Sequence, residues 1–269
     1  MRRPERLVLL GHPVAHSLSP HMQAAALASA RLPLRYEAVD LEPSMFDATI
    51  AKLRAENAAG NVTVPHKERM RLACDVVTPL AARVGAVNTF WVDDGSLFGD
   101  NTDVGGFDAT VRDLIGTAPA NLTVGVIGAG GAAAAVLAAV ESWDRCLAHV
   151  FNRTPERARI LCERFGSVAN PVDDIGAIAG AQLVVNATSI GLRDDAVPLD
   201  PSLIAPDAVV LDLVYRPGET AWVKAARARG HKSRDGIAML VEQGALAFER
   251  WFGIPADRSA MWEAVRGTA

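Results

Sequence analysis

The run Val124-Gly125-Val126-Ile127-Gly128-Ala129-Gly130-Gly131-Ala132-Ala133-Ala134-Ala135 constrains this chain more than any other stretch. Its β-branched, apolar start predicts a buried strand, and its alanine-rich end predicts a helix. Gly128, Gly130 and Ala133 occupy the small-residue positions of G-x-G-x-x-G/A between them. The first small residue permits a tight turn, the second lets backbone approach a pyrophosphate, and the third lets helix pack closely on strand. Free N–H groups and the helix dipole then favour a phosphate at the helix start. The same residues also serve a plain strand-to-helix turn, but strand, turn and helix in this order favour an α/β fold with a dinucleotide site.

A length of 269 residues suits roughly two domains. The net charge of −4 and the lack of a long basic run give no support for a nucleic-acid or anionic-membrane role. Cys74, Cys146 and Cys162 are scattered, which predicts reduced thiols and a cytoplasmic setting rather than a disulfide framework. Leu7 to Leu10 is too short for a signal-peptide core, and no stretch reaches the roughly 18 apolar residues of a membrane span. His12, His16 and His21 lack a well-spaced further ligand, so no metal is expected.

Leu7–Leu10 reads as a strand, followed by the loop His12-Pro13-Val14-Ala15-His16-Ser17-Leu18-Ser19-Pro20. Pro20 suits a helix's first turn, with Ser19 as cap and the helix running to about Ala30. Ser17 and Ser19 serve either as caps or, if the loop is extended, as two hydroxyls facing one polar ligand. Tyr36–Leu41 reads as a strand and Phe46–Arg54 as an amphipathic helix. In Gly60-Asn61-Val62-Thr63-Val64-Pro65-His66-Lys67-Glu68, alternation puts Asn61 and Thr63 on one face and Val62 and Val64 on the other. Lys67 then falls in a first helical turn, where the dipole disfavours a cation. It is either a solvated lysine beside Glu68 or one held near a polar pair and able to exchange a proton. Residues 84–92 and 96–99 read as strands joined by an Asp94-Gly95 hairpin. The polar run Asp100-Asn101-Thr102-Asp103 follows. It reads equally as a loop with a helix cap and as a hinge carrying site residues, with a helix after Gly105-Gly106 to about Ile115.

After the glycine turn, Leu147–Phe151 reads as a strand ending in Asn152-Arg153-Thr154-Pro155-Glu156-Arg157. NAD-binding units place an acid at this strand end for the ribose 2′-hydroxyl. Here Asn152 stands there, with Arg153 next and Arg157 four residues on. Guanidinium groups bind a 2′-phosphate that a carboxylate repels, so the pattern favours NADP over NAD. Gln182–Ser189 reads as a strand ending in a polar turn and Val209–Tyr215 as another strand, which brings Thr188, Ser189 and Tyr215 to strand ends, where ligands meet open parallel sheets. Met239 and Gln243 share a helix face just after Gly236.

In chain order, His16-Ser17-Leu18-Ser19-Pro20, Asn61-Val62-Thr63-Val64-Pro65-His66-Lys67, Gly85-Ala86-Val87-Asn88-Thr89 and Asn101-Thr102-Asp103 resemble the shikimate dehydrogenase family. The Gly128–Ala132 turn, Asn152-Arg153-Thr154, Asn186-Ala187-Thr188-Ser189, Asp212–Tyr215 and Met239-Leu240 with Gln243 continue the resemblance across nearly the whole chain. It implies reversible, NADP-dependent oxidation of shikimate to 3-dehydroshikimate in aromatic amino-acid biosynthesis. By the same resemblance Ser17 and Ser19 bind the substrate carboxylate, Asn61, Thr63, Asn88 and Gln243 hold ring hydroxyls, and Tyr215 borders the substrate. Lys67 is the acid/base and Asp103 its orienting partner, with the reverse assignment or one coupled pair left open. Gly128, Ala129, Gly130, Gly131 and Ala132 hold the pyrophosphate, and Asn152, Arg153, Thr154 and Arg157 the 2′-phosphate end. Leu213, Gly236 and Met239 line the nicotinamide pocket, with Thr188 and Ser189 also on the cofactor side. One departure stands at Pro79, where members of the family often carry a carboxylate near the cofactor.

The expected architecture is two α/β domains around a cleft that closes over both ligands. Residues 1–103 with 236–269 form the substrate-binding, catalytic domain, and residues 104–235 the Rossmann-like NADP-binding domain. Quinate or aminoshikimate is the alternative substrate, and a sensor that binds ligand and NADP without catalysis is the alternative class. A methylenetetrahydrofolate dehydrogenase is a more distant option. The expected partner is a small molecule, and monomer or homodimer is left open.

Overall fold

The computed structural model describes residues 2–266. The first elements are β1 (Arg6–Gly11), α1 (Ser19–Ser29), β2 (Tyr36–Asp40), α2 (Phe46–Ala55), β3 (Ala58–Val62) and α3 (Lys67–Ala73). Then come β4 (Val76–Val77), α4 (Pro79–Val84), β5 (Thr89–Asp93), β6 (Ser96–Asp100), α5 (Asp103–Ile115), β7 (Thr123–Ile127) and α6 (Gly131–Ser142). The chain continues through β8 (Leu147–Phe151), α7 (Pro155–Arg164), β9 (Ala169–Val172), β10 (Leu183–Asn186) and β11 (Val209–Asp212). It ends with α8 (Ala221–Ala228), β12 (Ser233–Arg234), α9 (Ile237–Phe252) and α10 (Arg258–Arg266).

The chain divides into two compact units, one comprising the chain up to Gly106 with the segment from Leu240 onward, the other Phe107–Met239. The first holds a mixed sheet in the order β2-β1-β3-β5-β6-β4. β1 pairs parallel with β2 and β3, while β3–β5 and β5–β6 are antiparallel. Asp94 and Gly95 both have positive φ, as a tight two-residue hairpin between right-twisted strands requires. The sheet's core gathers Val8, Leu10, Phe46, Ile50, Val62, Met70, Val87, Phe90 and Leu97, all buried. Each such large side chain contributes about 1.5–3 kcal/mol by leaving water.

The second unit has a wholly parallel sheet in the order β12-β11-β10-β7-β8-β9. The chain starts in the middle at β7, winds outward through β8 and β9, then crosses back to β10. That reversal is the topological switch of a doubly wound fold, and ligands meet such sheets at the carboxyl ends of the strands there. Its near-continuous apolar strands are those of a sheet covered on both faces.

Several local expectations are corrected. Ser19 does not cap α1: Leu18 holds the cap position without a side-chain bond, and Ser19, already helical, donates its N–H to Ser17 Oγ at 3.2 Å. Residues 84–88 are not strand. Val84 ends α4, and Gly85, in the left-handed conformation, terminates it. Val64 is 65% exposed, because β3 ends at Val62 and residues 64 and 65 form a turn beyond it. Past a strand end, alternation no longer assigns faces. α5 begins at Asp103, ahead of the glycine pair, and β11 ends at Asp212, leaving Tyr215 beyond the strand.

Candidate active site

In the first unit, polar residues that lie far apart in sequence, from Tyr36 to Gln243, form one connected cluster. Lys67 is the first residue of α3, and Asp103 the first of α5. Lys67 Nζ donates to Asp103 Oδ2 at 2.7 Å, with the side chains only 18% and 8% exposed. This resolves the open reading of Lys67: it is not a solvated surface lysine. A cation at a helix start is disfavoured by the dipole and an anion favoured, so Asp103 offsets what α3 costs Lys67. The other carboxylate oxygen, Oδ1, accepts Asn88 Nδ2 at 2.8 Å.

Asn88 is the centre of the cluster. Its Oδ1 accepts Thr102 N at 2.7 Å, and its Nδ2 lies 3.4 Å from Gln243 Oε1 on α9. Its backbone carbonyl accepts Val62 N at 2.8 Å and Asn61 Nδ2 at 3.2 Å. Asn61 Oδ1 in turn accepts the Tyr36 hydroxyl at 2.8 Å. Tyr36, Asn61, Asn88, Asp103 and Gln243 are all buried. Burial pushes the Tyr36 phenol far above its ordinary value, so it remains a hydroxyl donor at any working pH. Thr63 is half-buried just past β3, and Ser17 stands in the loop before α1. Pro79 takes the first turn of α4, behind the capping Thr78, whose side chain accepts Ala81 N at 3.2 Å.

In the second unit, β7 passes through Gly128-Ala129-Gly130 into α6. Gly128 has φ +117°, and a Cβ there would lie 2.8 Å from Ala187 O, so only glycine fits. A Cβ on Gly130 would meet nothing within 4 Å, so the backbone there is open to an approaching group. The start of α6 has no side-chain cap and no acid in its first turn, while Ala133 is fully buried. Uncapped N–H groups facing open space are what an anion at a helix start needs.

At the end of β8, Asn152 Nδ2 donates to Thr154 O at 2.9 Å, which shapes the turn into α7. Arg153 and Arg157 are exposed, and among the described residues neither pairs with a carboxylate, whereas Arg159 pairs with Asp173 at 3.0 Å. Two guanidinium groups without a carboxylate partner among the described residues, and no acid at the strand end itself, suit a phosphate on the ribose; Glu156, in the first turn of α7, faces Arg159 at 3.7 Å.

At the ends of β10 and β11, Asn186 Oδ1 accepts Thr188 Oγ1 at 2.7 Å, and Asn186 Nδ2 donates to Asp212 Oδ1 at 2.8 Å. Asp212 also accepts Val214 N at 3.0 Å and Thr220 Oγ1 at 2.8 Å. Burial raises its carboxyl to about 6, against the pull of these three hydrogen bonds. The network holds the turns that carry Thr188 and Ser189, Leu213 and Tyr215. Gly236 sits against Leu213, where a Cβ would be 2.3 Å from the Leu213 carbonyl oxygen, and Met239 is buried on α9.

Residues 9–90 match the family model of the shikimate dehydrogenase substrate binding domain, residues 114–192 that of shikimate / quinate 5-dehydrogenase, and residues 236–266 that of the shikimate 5′-dehydrogenase C-terminal domain. Over 267 residues the chain is 43% identical to the shikimate dehydrogenase (NADP(+)) of Thermus thermophilus, covering 97% of each chain. The chain belongs to the shikimate dehydrogenase family. A second such relative, the shikimate dehydrogenase (NADP(+)) of Rubrobacter xylanophilus, is 42% identical over 96% of this chain and 94% of its own. Among solved structures, a Thermus thermophilus shikimate 5-dehydrogenase in complex with NADP(H) and shikimate matches with a TM-score of 0.90 and 42% identity. That match covers 98% of this chain and 99% of the other.

Within this shikimate dehydrogenase fold, sequence reasoning missed the residues that hold others in place. Tyr36 fixes Asn61, Thr102 fixes Asn88, and Asp212 with Thr220 fixes Asn186. The available signal was a polar residue closing an apolar strand, as in Leu183-Val184-Val185-Asn186 and Val209-Val210-Leu211-Asp212. Among the described residues, no group of three His, Cys, Asp or Glu side chains is placed to hold a metal, and no helix is long and apolar enough to cross a membrane.

Proposed function

We propose that this protein catalyses the reversible NADP-dependent oxidation of shikimate to 3-dehydroshikimate, a step of aromatic amino-acid biosynthesis. The observation that carries the reading is the enclosed Lys67–Asp103 pair, held by Asn88 and placed among amide side chains suited to ring hydroxyls. A secondary alcohol loses hydride from carbon only as its hydroxyl proton leaves oxygen, so a proton acceptor must lie within hydrogen-bond reach. Lys67 takes that proton on the lone pair of its unprotonated amine in oxidation and returns it in reduction, while Asp103 orients the amine and balances the charge it then carries. Asn61, Thr63, Asn88 and Gln243 hold the ring hydroxyls, Ser17 and Ser19 the carboxylate, and Tyr215 borders the ring.

Bound NADP supplies the hydride acceptor. The residues present fit it: the open backbone at Gly130, the uncapped start of α6 and the unpaired Arg153 and Arg157 suit a dinucleotide bearing a 2′-phosphate. Gly128–Ala132 hold the pyrophosphate, and Asn152, Arg153, Thr154 and Arg157 the 2′-phosphate end. Thr188, Ser189, Leu213, Gly236 and Met239 line the rest. The first unit is thus the substrate-binding part and the second the cofactor-binding part. Three free, scattered cysteines fit a cytoplasmic catalyst, and analytical ultracentrifugation distinguishes monomer from homodimer.

Absorbance at the reduced-nicotinamide band tests the reading. Shikimate with NADP should give a rise, and NAD in place of NADP a much slower one. Quinate and aminoshikimate run in parallel define the substrate. A rise only with one of those would move the substrate assignment, and no rise with any would overturn the catalytic reading in favour of a sensor.

A further inference from the structure

The run Asp100-Asn101-Thr102-Asp103 contains one acid that the proposed reaction does not use. Asp100 closes β6, and its side chain is only 6% exposed. Oδ2 accepts Arg250 Nη2 at 2.7 Å, and Oδ1 accepts Thr78 Oγ1 at 2.5 Å and Asn101 N at 2.7 Å. Arg250 stands on α9, seven residues after Gln243, with its guanidinium 5.7 Å above the Trp91 ring. Trp91 in turn stacks on Phe98, 5.5 Å away and nearly parallel.

From Asp100 two routes lead to the carboxylate of Asp103. The next residue, Asn101, is clamped by donation from Nδ2 to Ala86 O at 2.9 Å, and its Oδ1 accepts Asp103 N at 3.1 Å. The Asp100 carbonyl itself accepts Asn88 N at 3.1 Å, and Asn88 holds Asp103 Oδ1. A shift of Asp100 therefore moves both the backbone that bears Asp103 and the amide that orients it. Thr78 and Asn101 N are neutral donors, so Arg250 supplies the charge that balances the buried carboxylate.

We propose that the Asp100–Arg250 pair is a strut that positions the Lys67–Asp103 proton-transfer pair, making both of them positioning residues for the reaction. The inference rests on the shikimate dehydrogenase reading above. Proton transfer depends steeply on distance, whereas cofactor affinity belongs to residues of the second unit. The strut should thus act on kcat and leave NADP binding alone.

The experiment is steady-state kinetics with shikimate and NADP on unmodified protein, Arg250→Met, Arg250→Lys and Asp100→Asn, with Tm and NADP binding by fluorescence for each. Arg250→Met should lower kcat roughly 10- to 100-fold, the effect of a misplacement of about 1 Å, with the NADP Kd unchanged. Arg250→Lys, which retains the charge, should restore most of the rate. Asp100→Asn, which keeps the Oδ1 contacts but turns an N–H toward the guanidinium, should lower kcat as Arg250→Met does. Should Arg250→Met fail to fold, Arg250→Lys and Asp100→Asn decide by the same comparison. A lower Tm with unchanged kcat in these variants would make the pair merely structural and overturn the inference alone. Unmodified protein inactive on shikimate with NADP would overturn the proposed function and this inference together.

Discussion

Lys67 Nζ donates to Asp103 Oδ2 at 2.7 Å across 36 positions of sequence, from the first residue of one helix to the first residue of another. Each charge is enclosed, and each is the other's charged partner. Replacing Lys67 by Met removes the proton acceptor and leaves the Asp103 carboxylate, among the described residues, with the Asn88 amide alone. The expected loss is roughly 10²- to 10⁴-fold in kcat, with a much smaller change in KM for shikimate. Breaking an enclosed pair from one side also destabilises, by about 3–5 kcal/mol. Kinetics and urea denaturation on Lys67→Met and Asp103→Asn check both. Near-normal turnover in Lys67→Met would remove its acid/base role.

Arg153 and Arg157 are predicted to choose the cofactor. Replacing either by Ala should raise KM for NADP by roughly tenfold, the size of a lost hydrogen bond between charged groups. KM for NAD should hardly move, because NAD lacks the 2′-phosphate. Equal effects on both cofactors would mean that the arginines act elsewhere.

Tyr36 is predicted to set substrate affinity without touching substrate. Its hydroxyl occupies Asn61 Oδ1, and Asn61 Nδ2 already spends one hydrogen on the Asn88 carbonyl. Asn61 is therefore locked with its remaining N–H to offer. Tyr36→Phe leaves Oδ1 buried without this donor, at a cost of about 1–3 kcal/mol, and frees the amide to turn. KM for shikimate should rise several-fold while kcat falls less. An unchanged KM, measured beside a thermal melt, would confine Tyr36 to stability.

Asp212 is predicted to make stability depend on pH. Its folded carboxyl is raised to about 6 from 3.8, mainly by burial, with Asp235 adding to the rise. Asp235 is itself raised by its own burial. A raised carboxyl binds its proton more tightly in the folded chain than in the unfolded one. Its contribution is therefore fully present below about pH 4 and is lost as pH rises through 6, a difference of roughly 3 kcal/mol. Asp212→Asn keeps an acceptor for Asn186 and Val214 and has an N–H for the Thr220 oxygen, yet carries no charge. Relative to unmodified protein it should gain stability between pH 4 and 7. A difference in unfolding free energy that stays flat over that range would contradict the assignment.

Much of the second unit is legible in the sequence because its signals are local. Val124–Ile127 is apolar and β-branched, glycine at 128 permits a positive φ, and the alanines after it favour helix. Structure and reading agree there to within a residue. In the first unit the same method errs where apolar residues run past a strand's end or precede its start. Val64 reads as sharing a face with buried Val62 and is exposed, and Val84 reads as strand and closes α4. Ser19 reads as a cap, but the Ser17 oxygen takes the Ser19 N–H instead.

The sequence by itself determined the doubly wound α/β unit, the glycine turn, the asparagine in place of an acid at the end of β8 and the family of the chain. Each depends on neighbours in sequence or on motifs whose order survives without coordinates. Only the tertiary structure decided that Lys67 meets Asp103, that Asn88 joins them to Asn61, Thr102 and Gln243, and that Arg250 reaches Asp100 from 150 residues away. Hydrogen bonds act over about 3 Å, and which distant side chains come that close is set by the packing of whole strands and helices.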